Sequence, residues 1–433
     1  MAKKPPDPKS KGEYRLSSSV DDLLLAAQQR DDASLETGRY VITYKENAVD
    51  EGLQALKSQG LRTTDARDFA DQKVALEEAG DADALMFPEI GVAVVSGEAF
   101  EERGLSVQAE IASDSPIEAI EPEYFVFADN NGDYLRGFVR AADAIAKDLH
   151  GTATGLEEEE EEVDVQVVGA TWGLIRCKVP PSLRSGAGIK VAVLDTGLDL
   201  GHPDFAGRAI TAHTFVGQPV QDLNSHGTHT TGTACGPKAP AGNIQRYGIA
   251  YKAPIFVGKV LTNAGSGTTA TVLAGMNWAI GARCVAISMS LGSQSPVQAA
   301  YTAAGASALS KGCLIIAAAG NAASNTGAPA NSPTIMAVAS LDPTLAPSSF
   351  SNFGKIEIAA PGRDVFSSVP RPTKYGTKSG TSMATPHVAG CAALWAETSP
   401  ALRGMNLWRR LQTSARPLPF PPAKVGKGLV QAP

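Results

Sequence analysis

Six short runs of almost unbroken apolar residues constrain the fold more than any other feature of the chain. They lie at 189–194, 255–261, 285–291, 314–319, 335–339 and 356–360. A strand with one face in water alternates polar and apolar residues. These runs do not alternate, so both faces of each strand must be covered, as in a parallel sheet. Helical patterns at 268–281, 296–310 and 383–397 lie between them. Alternating strands and helices imply an α/β domain built on a doubly wound, mostly parallel sheet, assigned here to residues 166–433. Active sites in such sheets lie beyond the carboxyl ends of the strands.

The first third of the chain reads differently. Strand-like segments at 39–44, 90–95 and 117–127, with helices at 49–58 and 98–103, suggest a small α+β, ferredoxin-like βαββαβ domain over residues 36–128. Residues 1–35 are polar and are expected to form a flexible extension with one short helix at 20–29. Residues 129–165 read as an acidic connector. It holds a turn at Asn130-Asn131-Gly132-Asp133, a helix at 139–149 and six consecutive glutamates from Glu157 to Glu162. Like charges in such a run repel and favour an extended, solvated chain.

Composition excludes several classes. The net charge is −7, so no basic face is expected for nucleic acid or an anionic membrane. The five cysteines are odd in number, far apart and mostly set in apolar runs. They read as buried thiols rather than as a disulfide framework or a zinc site. The N-terminus is basic but has no apolar segment behind it, so it is not a secretory signal. No run approaches the ~18 apolar residues that span a bilayer. A monomer in the cytoplasm is the favoured reading, with a non-standard export route as the alternative.

Three segments carry chemistry. Val193-Leu194-Asp195-Thr196-Gly197 puts an aspartate at the carboxyl end of a buried strand, where a carboxylate needs partners. Read alone, Asp195 could simply cap a turn. His226 stands among small residues in Ser225-His226-Gly227-Thr228-His229, open to close approach by a substrate. The spacing of His226 and His229 raises metal ligation, but no acidic ligand nearby completes a site. Ser382 follows a small-residue turn, Ser379-Gly380-Thr381, and precedes an apolar helical run. A helix N-terminus offers free N–H groups to a developing anion, although a serine there is often only a cap.

The three occur in the order Asp, His, Ser. Val-Leu-Asp-Thr-Gly at 193–197, His-Gly-Thr-His at 226–229 and Gly-Thr-Ser-Met-Ala-Thr-Pro-His-Val-Ala-Gly at 380–390 resemble the signature segments of the subtilase family. The resemblance runs from about Trp172 to Leu429. It implies a serine endopeptidase with Asp195, His226 and Ser382 as its triad and no cofactor in the chemistry. It implies Asn321, in Ala319-Gly320-Asn321, as the oxyanion donor beside the Ser382 N–H. It also implies two substrate-lining segments, Gly265-Ser266-Gly267 and Ser290-Leu291-Gly292, between which an extended peptide would add. Ala318 and Gly320 would help wall the first specificity pocket, with Ala322 and Gly327 at its rim and base. No lining residue is charged, so a large apolar residue is expected before the cut bond.

The same resemblance makes residues 36–128 an inhibitor and folding prodomain whose apolar tail, around 124–128, would occupy the cleft. Self-cleavage would then fall after Phe127, after Ala128 or further into 129–165. A structural calcium ion is implied at Asp204, and a cis bond at Ala328-Pro329. The partners expected are polypeptide substrates and the chain's own prodomain. A different class of reading, a silent binding protein on this scaffold, is opposed by the presence of all four key residues. Within the enzyme reading, the long connector favours a dedicated processor over a scavenger.

Overall fold

Seven strands form the central sheet, and every neighbouring pair in it is parallel. The computed structural model describes residues 14–29, 34–102, 115–128 and 169–433. The expected connector and its acidic run lie outside the described residues, as does the end of the 98–103 helix.

In chain order, the N-terminal region holds α1 (Val20–Gln29), β1 (Glu36–Tyr44), α2 (Val49–Ser58), β2 (Thr63–Asp65), β3 (Ala84–Phe87), β4 (Val92–Val95), α3 (Gly97–Glu102) and β5 (Ile117–Phe127). β1 lies between β4 and β5 and pairs antiparallel with both; β3 and β4 also pair antiparallel. This is the βαββαβ arrangement read from the sequence with one strand added, the short β2, which pairs parallel with β3 at the sheet edge. The stretch expected as one strand at 90–95 is instead the second arm of a hairpin, β3–β4. Ile42, Tyr44, Leu56, Met86, Val95 and Phe100 form its core, and Tyr40 stacks on Phe100.

Part of the expected flexible extension is packed. Leu16, Leu23 and Leu24 are buried, and α1 shares an apolar cluster with Phe125, Phe127 and Val216. The segment's apolar residues are few, but they fall on one side of a single short helix, and overall polarity hides that face.

The larger region follows with α4 (Trp172–Arg176), β6 (Val191–Asp195), β7 (Ile210–Thr214), α5 (His226–Cys235), β8 (Ile255–Lys259), β9 (Ser266–Thr268), α6 (Thr269–Gly281), β10 (Ala286–Met289), α7 (Ala299–Ser310), β11 (Leu314–Ala318), β12 (Met336–Leu341), β13 (Ile358–Pro361), β14 (Val365–Ser368), β15 (Tyr375–Lys378), α8 (Thr381–Thr398) and α9 (Gly404–Ser414). The sheet order is β13-β12-β11-β10-β6-β8-β7. Strands β6 and β10 to β13 are buried at every residue, which explains the unbroken apolar runs. Strand β7 was not expected. It is an edge strand, half-buried at every position, and its sequence, Ile-Thr-Ala-His-Thr, has no apolar run to betray it.

Helix α5 packs against α8, and α8 lies over β10 to β13. Trp278 of α6 fills the space over Phe215 and Phe256. The two regions meet through sheet pairing, because β5 continues into β9 of the larger region. Among the described residues, no helix is long and apolar enough to cross a membrane. All five cysteines are buried free thiols.

Candidate active site

Asp195 ends β6, the strand between β10 and β8. Its side chain is buried and its oxygens are committed. Oδ1 accepts the Thr196 N–H at 2.7 Å and His226 Nδ1 at 2.7 Å; Oδ2 accepts the Thr230 hydroxyl at 3.0 Å. A carboxylate so held fixes both the ring plane and the tautomer of its histidine.

His226 is the first residue of α5, and its entry is forced. Ser225, just before it, adopts φ 81°, a left-handed conformation uncommon outside glycine. Asp222 holds that turn in place. It is fully buried and accepts N–H groups from Asn224 (2.9 Å), Ser225 (3.0 Å) and Thr228 (2.8 Å). The Thr228 and Thr196 hydroxyls complete its shell, at 2.7 and 3.0 Å. Gly227 has to be glycine, since a Cβ there would lie 2.3 Å from the Gly197 carbonyl. The small residues around His226 thus let α5 sit directly on the Asp195 turn.

Ser382 lies in the first turn of α8, which begins after Gly380. Pro386, four residues on, lacks the N–H that would bond the Ser382 carbonyl. That carbonyl instead accepts the Ser290 hydroxyl at 2.7 Å, which ties the start of α8 to the segment after β10. Asn321 follows β11. Its Oδ1 accepts both the N–H and the hydroxyl of Thr381, at 2.8 and 2.9 Å. The amide's donors are thereby left as its free face, and Nδ2 stands 3.3 Å from where a Cβ on Gly380 would sit.

The cleft beside Ser382 is filled by the chain itself. Phe125, Val126 and Phe127 pair antiparallel with Thr268, Gly267 and Ser266. On the other side, Phe127 and Gly292 exchange N–H···O bonds at 3.0 Å each. The Ala128 N–H reaches the Gly265 carbonyl at 2.9 Å, and the Ser382 hydroxyl donates to the Ala128 carbonyl at 3.1 Å. The tail thus runs between Gly265–Thr268 on one side and Gly292 on the other. The residue held against Ser382 is Ala128, smaller than the large apolar residue expected there; the register set by Gly265 and Gly292 puts Phe127 one position back and Phe125 three. Ser290, Leu291 and Ala318 are buried in the wall around this position. A Cβ on Gly327 would lie 2.4 Å from the Ser293 carbonyl. Ala322 donates its N–H to Asn352 Oδ1, and the Ala328-Pro329 bond is cis.

Residues 186–428, more than half of the chain, match the model of the Subtilase family. The chain belongs to the subtilase family. An alkaline protease of Alkalihalobacillus alcalophilus is 39% identical to it over 282 residues, which cover 64% of this chain and 72% of that protein. Subtilisin Savinase of Lederbergia lenta is 39% identical over 268 residues, covering 60% of this chain and 96% of its own length. Subtilisin NAT of Bacillus subtilis subsp. natto is 36% identical over 271 residues, 60% of this chain and 69% of its own. This subtilase is a subtilisin-like serine endopeptidase.

Other residues of the subtilase take structural places. His229 is buried, and burial pushes its imidazole down to about 3, so the ring is neutral and its Nε2 bonds the Val365 carbonyl at 2.8 Å. Asp204, the residue implied for calcium, does not fit a cation. Its Oδ2 accepts the hydroxyls of Tyr247 and Tyr375, and its Oδ1 accepts the Ala241 N–H at 3.3 Å. Burial and the Asp204 charge push both phenols up, so both stay protonated and donate. Among the described residues, no three His, Cys, Asp or Glu side chains converge as a metal site. Two residues beside the site escaped the sequence reading, Asp222 and Lys259. Neither sits in a recognisable pattern, and each is marked only by complete burial of a charged group.

Proposed function

We propose that Asp195, His226 and Ser382 are the catalytic triad of a self-inhibited zymogen, and that residues 36–128 are its prodomain. In this reading Ser382 Oγ attacks the scissile carbonyl while His226 Nε2 takes its proton and later passes it to the leaving amine. Asp195 keeps the proton on Nδ1 and stabilises the imidazolium. The Ser382 N–H and the Asn321 amide receive the oxyanion. All of these groups come from this chain, and no step needs a metal or cofactor.

One observation carries the reading: the tail lies between two substrate edges with its last described carbonyl, that of Ala128, on the Ser382 hydroxyl. Of the three places expected for self-cleavage, this geometry favours the Ala128-Asp129 bond. The uncharged walls suit an apolar residue before the bond. The tail itself supplies alanine there and Phe125 three positions back, so peptides carrying alanine or phenylalanine at the first position separate the small preference from the large. The partners proposed are polypeptide substrates and the chain's own prodomain.

The test compares the full chain with Ser382→Ala by intact mass and N-terminal sequencing. The proposal expects a new N-terminus at Asp129 in the wild type alone. Cutting of both chains alike, or of neither, overturns it.

A further inference from the structure

Lys259 ends β8, directly opposite Asp195 in the β6–β8 register. It is completely buried, and the mechanism above gives it no part. A buried ammonium is retained only where its donors are well placed. Its Nζ donates to the Thr196 carbonyl and, at 2.8 Å, to Asn263 Oδ1. Two buried carboxylates favour its charge, Asp222 from the loop before α5 and Asp195 from β6. Its partner on β7, Thr214, is uncharged, and α6, packed against β8, carries no ionisable side chain. The remaining titratable group in the cluster is His226, on Asp195 Oδ1.

The two acceptors of Lys259 lead to different halves of the site. Thr196 gives its N–H to Asp195, its hydroxyl to Asp222, and accepts the Gly227 N–H at 2.8 Å behind His226. Asn263 also accepts the Leu223 N–H at 3.2 Å and takes the Asn224 amide on its carbonyl at 3.0 Å. Two residues further on, the Gly265 carbonyl receives the Ala128 N–H.

We propose that Lys259 is a positioning residue for proteolysis, whose buried ammonium sets the charge balance around Asp195 and His226 and holds the 262–265 turn that presents the substrate edge. The proposal rests on the triad reading. Loss of the charge leaves Asp195 and Asp222 a stronger pull on the imidazolium, so His226 holds its proton to higher pH. At the effective dielectric of a partly solvated site, the acidic limb of kcat/KM should rise by on the order of half a pH unit. Burial pushes the ammonium itself down to about 8, so the wild type should show an inflection near that pH.

The experiment measures pH profiles of kcat and KM for the self-processed enzyme on a peptide ending Phe-Val-Phe-Ala before the cut bond. Lys259→Met should raise the acidic limb and erase the inflection near pH 8. Asn263→Ala keeps the ammonium but frees the turn, so it should raise KM severalfold and leave the acidic limb in place. A Lys259→Met enzyme with an unmoved limb overturns the proposal. If that variant does not fold by circular dichroism, a wild type without the inflection, or an Asn263→Ala enzyme with unchanged KM, overturns it equally. Full activity in Ser382→Ala would instead mark failure of the triad reading.

Discussion

Glu123 on the tail strand and Arg39 on β1 form an ion pair in which neither side chain reaches solvent. Arg39 Nε lies 2.6 Å from Oε2 and Nη2 lies 3.1 Å from Oε1. The Thr37 hydroxyl also donates to this carboxylate, at 2.6 Å. So does the Ala270 N–H, at 2.9 Å from the first turn of α6 in the catalytic region. The pair thus sits where residues 36–128 meet the subtilase region. Removing one member of a buried pair typically costs about 3–5 kcal/mol, because the other charge is stranded. Arg39→Leu should therefore weaken inhibition by the processed 1–128 fragment by roughly 10²–10³-fold. The double variant Arg39→Leu/Glu123→Leu should lose much less, and titration of activity against added fragment checks both.

In the proposed zymogen, the same pair should give inhibition a pH dependence. Burial pushes the Glu123 carboxyl up, but the charge and hydrogen bonds of Arg39 outweigh it, and the net position is below the ordinary 4.5. A carboxyl lowered in the folded chain contributes stability above its free value and loses it as pH falls through the folded value. Glu121 has the opposite sign. It accepts the Ala299 and Ala300 N–H groups at the start of α7, yet burial raises it above 4.5, so protonation relieves a cost. Inhibition should hold through mild acid and fail below about pH 4.5, where Glu123 protonates against a charged Arg39. Fragment release followed by stopped-flow activity should accelerate in that window, and Glu123→Gln should flatten the dependence.

Helix α1 adds a second hold on the tail. Val20, Leu23, Leu24 and Ala27 pack on Phe125 and Phe127, the large side chains of the strand lying in the cleft, and on Val216 of the catalytic region. Leu16 joins through its carbonyl, which accepts Arg39 Nη1 at 2.9 Å. Full burial of a leucine side chain contributes about 1.5–3 kcal/mol. Leu23→Asp reverses that and places a charge over Phe125. Self-cleavage should proceed at its normal rate, because the tail register depends on Gly265, Ser266 and Gly292. Active enzyme should appear at least ten-fold sooner in a progress curve. An unchanged lag would show that α1 adds nothing to latency.

The three positions proposed as a triad were legible because each stands at a chain reversal that small residues mark, as Gly197, Gly227 and Gly380 do. The parallel sheet was legible because burial on two faces erases polar alternation. What escaped had no periodic signature. Strand β7 is an edge, half-wet on every residue, so its pattern is indistinguishable from a loop. The hairpin partner β3 is only four residues long and was missed beside the longer run after it. Asp222 and Lys259 matter through partners brought from distant segments, Thr196 above all, and no local spacing encodes such a meeting. Ala128 was one of several sites expected for self-cleavage, and the register against Gly265 and Gly292, which the local sequence does not encode, is what supports the proposal for it.

Asp204 separates resemblance from this particular chain. The segment His202-Pro203-Asp204 suggested a cation ligand, yet the carboxylate is clamped by the hydroxyls of Tyr247 and Tyr375. Tyr247 follows the loop after α5, and Tyr375 begins β15, so the clamp joins three segments distant in sequence. A hydrogen bond to a charged acceptor contributes about 1.5–3 kcal/mol, and its loss leaves part of the buried carboxylate unsatisfied. Tyr247→Phe/Tyr375→Phe should therefore lower the melting temperature of the Ser382→Ala protein by several degrees. For a catalytic region of this size, 1 kcal/mol corresponds to about 2–4 °C. A chelator should leave the melting temperature of the Ser382→Ala protein with both tyrosines intact unchanged, because the two phenols already hold the Asp204 carboxylate. A clear drop on chelation, reversed by added calcium, would show that a cation is bound after all and that the two phenols are not sufficient.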